Sequence, residues 1–323
     1  MPGSVRSPVV EPVLPAPLTP TDRRPLRGYL MVSTAAILFA VNGTVSKVIL
    51  ASGLSSPRLA QVRSTGAFVL LLLAIVVVRP RLLRVARREL AFLAFFGVAG
   101  LASVQVFYFL AIHRLAIGIA LLIQYLAPLL VALWARYAMH EPVRPRIWGA
   151  LALALGGLAL MVQLWHGVEL DGLGVTYALI AAVAFALYIL LAERAVSRRD
   201  AISVSCYGFL FSALFWAIVQ PWWTFPSSVP GRDVSLLGHL AAWHLPVWAL
   251  MSWMVLFGTI VPFALVVGAL RHVSATRAGI VAMLEPVAAT VVAYGWLAES
   301  LSAVQIAGGL VVLAGILLAQ SAR

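Results

Sequence analysis

Glu285 is a residue that can do chemistry where charge is costly. It stands inside an apolar run as Leu284-Glu285-Pro286, followed by Glu299. The same frame occurs earlier as Leu126-Ala127-Pro128, followed by Glu141. The two stretches keep an offset of 158 residues from Ala120/Ala278 through Ala135/Ala293 and Leu155/Leu313 to Gly157/Gly315. The repeat isolates one difference: a carboxylate at 285 where the first copy has Ala127. An acid at the centre of a bilayer costs roughly 2.5–3.5 kcal/mol on insertion scales, so Glu285 should face a cavity or a partner. Either it is a site for a substrate amine or a proton, because a poorly solvated carboxylate needs a counter-charge or a proton, or it is one half of a structural pair.

The neighbouring residues extend the set. Pro128 and Pro286 remove a backbone donor and free the carbonyls of Gln124 and Ala282, giving paired helix kinks that suit a midplane site or simply bend the helices for packing. The Gln124 amide, one turn before Pro128, can reach the same cavity. Asn42 and Lys47 are the only asparagine and the only lysine, and both fall in the first apolar run. Asn42-Gly43-Thr44 matches a glycosylation sequon, but its place inside a span excludes that use. Lys47, near the outer end, either snorkels to the interface or joins Arg63 in attracting an anionic group or pairing with a buried acid. Gln105, Tyr108, Tyr125, Tyr188, Trp134 and Trp253 are candidates for lining a cavity, against the alternative of packing. Glu141 and Glu299 sit where the fourth and ninth helices end and read as structural acids beside the following helix N-terminus.

Composition and motifs exclude other chemistries. The chain is 63% hydrophobic and 11% charged, well below the charge content of soluble domains. Its net charge of +12 comes from arginines between apolar runs, which set membrane orientation; no motif points to nucleic acid. The single cysteine, Cys206, rules out an intrachain disulfide and any CxxC site. His239 with His244, and His166 near Glu169 and Asp171, lack metal-ligand spacing. Walker, HExxH and GxSxG motifs are absent, so the expectation is no enzyme, no metal and no cofactor.

The elements that must position these residues are helices. Ten segments are long enough to cross roughly 30 Å of hydrocarbon: 28–50, 59–78, 90–112, 115–138, 146–165, 174–194, 203–223, 246–270, 275–297 and 302–320. Residues 1–27, with seven prolines, read as a disordered cytoplasmic tail. The first unit is expected over 28–165 and the second over 174–320. The one long connection, about 224–245, is flanked by Trp222, Trp223, Trp243 and Trp248, which fit an interfacial belt. With both termini inside, the cytoplasmic side takes 18 of the 23 basic residues, leaving Lys47, Arg58, Arg63, Arg114 and Arg232. Five spans per unit make the second copy enter the membrane from the opposite side. The fold class is therefore an all-α polytopic membrane protein of two inverted five-helix repeats, an arrangement suited to alternating access. Ala152 with Gly156, and Ala303 with Ala307, give small-residue faces for close helix packing or a homodimer.

Four stretches resemble the drug/metabolite transporter superfamily, of the EamA type with two five-helix units. They are Ser56-Pro57-Arg58-Leu59-Ala60-Gln61-Val62-Arg63, Phe107-Tyr108-Phe109-Leu110-Ala111 through Leu126-Ala127-Pro128, Gly268-Ala269-Leu270 with Ser274-Ala275 through Leu284-Glu285-Pro286, and the acids Glu141 and Glu299. The likeness covers nearly all of 28–320, although 174–223 offers no counterpart to Arg63. It implies a secondary transporter of small organic solutes in the inner membrane, with a small-molecule substrate and the lipid bilayer as partners. The working expectation is export of small amphiphilic metabolites, amino acids or drug-like compounds. An uncoupled facilitator or importer is the second reading, and a polytopic lipid-modifying enzyme a remote third.

Overall fold

The computed structural model describes residues 24–115, 117–163 and 171–321. The tail expected over 1–27 falls outside them up to residue 23, as do His166 and Glu169. Among the described residues, ten helices are long and apolar enough to cross a membrane. They are α1 Pro25–Ala51, α2 Ser56–Val78, α3 Arg87–Ile112, α4 Ile117–Tyr137, α5 Pro145–Val162, α6 Gly172–Val196, α7 Ala201–Val219, α8 Val247–Ala269, α9 Ala275–Leu297 and α10 Ala303–Ser321. Helix is the form these apolar segments take because lipid offers the backbone no hydrogen-bond partner.

Local chemistry sets the ends. Proline occupies the first turn of α1, α2 and α5, where its missing N–H is an orphan in any case. Asp171 and Asp200 cap α6 and α7, accepting from the backbone N–H of Gly174 at 3.3 Å and of Ile202 at 2.9 Å. The Glu193 carboxylate near the end of α6 accepts from the N–H of Ala275 at 2.9 Å and so caps α9 from another helix. α4 and α9 run out into left-handed residues, His140 (φ 55°) and Ala298 (φ 60°). The N–H groups of Glu141 and Glu299 then bond back to the carbonyls of Ala135 and Ala293. The same closure, each N–H reaching back six residues, recurs at the 158-residue offset.

Three expectations need correction. α7 stops at Val219 and not at 223, because Gln220 precedes Pro221, whose ring disfavours helical conformation on the residue before it. The stretch expected as loop over 224–245 holds a short hairpin, with β1 Asp233–Ser235 antiparallel to β2 His244–Pro246. The small residues expected to give close helix packing or a homodimer face, Ala152, Gly156, Ala303 and Ala307, are exposed, which corrects only the packing within the chain. The close contact of α5 with α10 runs instead through Gly157, Gly308 and Gly315, about 100° round from Gly156 in the case of Gly157. A Cβ on Gly157 would lie 2.6 Å from the Gly308 carbonyl oxygen, and one on Gly308 2.7 Å from that of Gly157.

The helices pack in a pattern that maps onto itself when the first five are exchanged for the last five. α1 lies against α8 and α9 as α6 lies against α3 and α4, while α2 meets α7, α4 meets α9 and α5 meets α10. The principal interfaces join one repeat to the other, so the two units are interleaved about a pseudo-two-fold axis. On one face lie the arginine-rich connections; the other carries Lys47, the hairpin and the α9–α10 turn. We refer to these as the basic face and the far face.

Candidate transport site at the helix breaks

Four central helices are interrupted, in two equivalent pairs. α4 consists of Ile117–Gln124 and Ala127–Tyr137, and α9 of Ala275–Ala282 and Leu284–Leu297. Each break comes just before Pro128 or Pro286, which cannot donate to the preceding turn. The broken helices meet there: a Cβ on Gly279 of α9 would lie 3.1 Å from the Pro128 side chain. α3 and α8 instead widen into π-helical turns at Phe96–Ala102 and Leu256–Ile260. Gly100 and Gly258 within them are again 158 residues apart, so the same widened turn occurs in both repeats. Such turns concentrate at functional sites. Each is covered by the first helix of the opposite unit. A Cβ on Gly100 would lie 3.3 Å from the Cα of Tyr188 on α6, and one on Gly258 would overlap the Asn42 amide on α1.

Glu285 occupies the first turn after the α9 break. Its Oε2 accepts from the Tyr125 hydroxyl at 2.9 Å, and Tyr125 stands in the α4 break, only 3% exposed. Arg63 of α2 reaches the π-helical turn of α8, donating from Nε to Thr259 Oγ1 at 2.9 Å and from a terminal nitrogen to the Gly258 carbonyl at 3.3 Å. Its guanidinium lies 5.6 Å from the centre of the Phe263 ring. Arg63 and Tyr108 are both within electrostatic range of the Glu285 carboxylate.

A chain of ring contacts links the two charges. Phe263 meets Tyr188 edge-on at 5.8 Å, Tyr188 stacks on Phe185 at 6.2 Å, and Phe185 meets Tyr125 edge-on at 6.1 Å. A fixed guanidinium thus stands at one end of an aromatic wall and a carboxylate at the other. Such a wall can hold an amphiphilic solute bearing a cation, an anion or both, and Glu285 can exchange a proton. Buried polar atoms of Asn42, Gln105, Gln124 and Tyr188 have no hydrogen-bond partner among the described residues.

The structure brings Glu285, Arg63, Tyr108 and the cavity candidate Tyr125 together, the Tyr125 hydrogen bond to Glu285 spanning 160 positions of sequence. Asn42 is buried against the α8 π-turn. Lys47 stands apart: its Nζ donates to Glu299 Oε1 at 2.8 Å on the far face, tying the end of α1 to the end of α9. The Glu141 side chain is exposed and has no partner among the described residues. Trp134 is 55% exposed, on the outer surface of the bundle and away from its interior. Among the described residues no group of three His, Cys, Asp or Glu side chains could hold a metal ion.

Ten spans in inverted halves, broken at matched positions around one carboxylate, define a polytopic membrane transporter. The chain belongs to the EamA-like transporter family, which matches it twice, over residues 26–163 and 172–320; it is a transporter and not an enzyme. It is 28% identical to an uncharacterized transporter of Archaeoglobus fulgidus over 72% of this chain and 76% of that one. It is also 28% identical to the threonine/homoserine exporter RhtA of Escherichia coli K12, over 73% of this chain and 72% of that one. An uncharacterized transporter of Clostridium kluyveri is 22% identical over 92% of this chain and 94% of its own. A crystal structure of a protein with 18% identity superposes with a TM-score of 0.73, covering 92% of this chain and 99% of its own, and shares the fold.

Proposed function

We propose that this chain is a secondary active exporter of small zwitterionic or cationic amphiphiles, amino acids foremost, working by alternating access in the inner membrane with both termini in the cytoplasm. The observation that carries the reading is the pairing of Glu285 with Arg63 across an aromatic wall at the helix breaks. A zwitterion offers an ammonium to the carboxylate, a carboxylate to the guanidinium and an apolar body to the rings between. Glu285 alternates between the substrate amine and a proton, so that loading one requires release of the other. The name of the threonine/homoserine exporter supports amino acids as the first compounds to try. The concentration of 18 of 23 basic residues in the tail and on one face supports the orientation.

The test is flux of labelled amino acids in proteoliposomes under an imposed pH gradient. Glu285→Gln keeps shape and removes the charge. Exchange should fall by about tenfold to a hundredfold, the worth of one charged hydrogen bond, and the residual flux should ignore the gradient. Normal exchange with an unchanged pH response in this variant overturns the substrate and proton roles together. Normal wild-type flux that is indifferent to the gradient overturns coupling and leaves a facilitator.

A further inference from the structure

A second charged site lies on the basic face, away from the helix breaks. A cleft opens between the start of α3 and the end of α6, lined by Arg88, Glu89, Phe92 and Leu93 on one side and by Arg194, Arg198 and Arg199 on the other. Arg199 is fully committed to the protein. It donates to the carbonyls of Leu82 at 3.1 Å and Arg84 at 2.8 Å and to Glu89 Oε2 at 2.8 Å. It therefore builds the wall and cancels the one acid in the cleft. Arg88, Arg194 and Arg198 are exposed, and their side chains form no hydrogen bond or ion pair among the described residues. Three uncompensated guanidinium groups thus converge on one cleft.

Depth in the membrane gives the cleft its chemistry. Arg88 is the second residue of α3, Arg194 lies in the last turn of α6, and Arg198 is in the turn that follows, so all three sit at the level where a span leaves the hydrocarbon. Phe92 is one helical turn deeper than Arg88 on the same face of α3, and with Leu93 it lines the cleft with apolar surface. An opening with guanidinium groups above and an aromatic ring below complements an amphiphile that has an anionic head and an acyl body. Arginine forks match phosphate oxygens in pairs, and basic pockets between spans on the positively charged side suit anionic headgroups. We propose that this cleft binds the phosphate of an anionic phospholipid. α3 belongs to the first repeat and α6 to the second, so the bound headgroup bridges the two units.

The experiment reads binding, independent of transport. Purified protein is reconstituted in nanodiscs of phosphatidylcholine with increasing phosphatidylglycerol, and thermal stability is followed as the lipid is titrated. Wild type should be stabilised by phosphatidylglycerol. Each Arg→Gln change at 88, 194 and 198 should weaken apparent affinity about fivefold, the worth of one basic residue at an anionic surface. Arg144→Gln, an exposed arginine on the same face but outside the cleft, should leave it unchanged. Equal stabilisation of wild type and of the R88Q/R194Q/R198Q variant overturns the site. Stabilisation by inorganic phosphate in pure phosphatidylcholine, with none from phosphatidylglycerol, overturns the lipid and assigns the cleft to a soluble anion. Should the triple variant not purify, R194Q alone decides by the same fivefold criterion.

Discussion

A carboxylate in a span can be stabilised in two ways at once, by a hydrogen bond from a neutral donor and by the field of a cation. Glu285 has both. Tyr125 donates to it at 2.9 Å, and Arg63, held by the π-turn of α8, faces it without forming a direct ion pair in the structure. That division leaves the carboxylate oriented but with acceptor capacity left over, as the proposed amine site requires. Tyr125→Phe tests the orienting part. It removes one hydroxyl and keeps the ring against Phe185, so the fold should persist while substrate affinity changes about tenfold, from the loss of a charged hydrogen bond; flux at varied substrate concentration measures it. Unaltered kinetics would mean that the hydroxyl only fills space. Arg63→Lys keeps the charge but loses the planar fork and the stacking on Phe263. Its affinity for zwitterions should fall while its handling of simple amines is retained, a difference that competition assays with amines lacking a carboxylate will show. Glu285 was legible in the sequence because the repeat supplied its own control at Ala127. Its partnership with Tyr125 was not, since no local pattern joins residues 160 positions apart.

Elements show what the repeat was used for. The 158-residue register recurs in the paired helix breaks, in the π-turns around Gly100 and Gly258 and in the left-handed ends at His140 and Ala298. Span number and most boundaries could be read from hydropathy, which responds to lipid directly. The π-turns could not, since they depend on which helix presses on the glycine, and that is decided by packing. Gly258→Ala tests the contact with Asn42. The added methyl overlaps the amide and should cost about 1–3 kcal/mol, as overpacking does, and Asn42→Ala in the same chain should restore much of it, seen as non-additive melting temperatures. A separate element-level prediction concerns the start of α6. Arg114 donates to Asp171 at 3.0 Å, and this hydrogen bond, with that from Gly174, holds the Asp171 carboxyl below its usual range. A lowered pKa in the folded state adds stability above the ordinary carboxylate range and loses it as pH falls through the folded value. Asp171→Asn keeps a good N-cap and removes only the charge. The variant should melt below wild type at neutral pH, and the gap should close on acidification; a gap constant with pH would assign the effect to the cap alone.

For the molecule as a whole, the proposed alternating access would make opening at one face and closure at the other parts of one motion of the interleaved repeats. The far face is held by contacts that cross between units: Lys47 with Glu299, Gln163 with Ser302 at 2.5 Å, and a buried cluster around Arg58. Arg58, 7% exposed, donates to Gln61 at 2.7 Å, to the carbonyls of Gln220 and Pro221 at 3.1 Å each, and to Thr224, so that it ties the start of α2 to the end of α7. This clamp could not be read from the sequence, because two of its four acceptors are backbone carbonyls freed where Pro221 ends α7, more than 160 positions from Arg58. A latch role for Arg58 on the far face is therefore testable: if it holds, Arg58→Ala should shift the population toward states open on that face. Losing even one charged hydrogen bond, about 1.5–3 kcal/mol, is enough to change a two-state ratio tenfold or more. The shift can be read by labelling. Cys206 is the sole cysteine and is buried, so Gln124→Cys in a Cys206→Ala background gives one reporter beside the α4 break. An impermeant maleimide supplied to the far face of oriented vesicles should label it about tenfold faster when Arg58 is replaced. Labelling from the basic face should slow in the same variant if, as proposed, the inverted repeats open one side only by closing the other. If both rates rise together, the bundle has loosened, and Arg58 is a stability element with no part in gating.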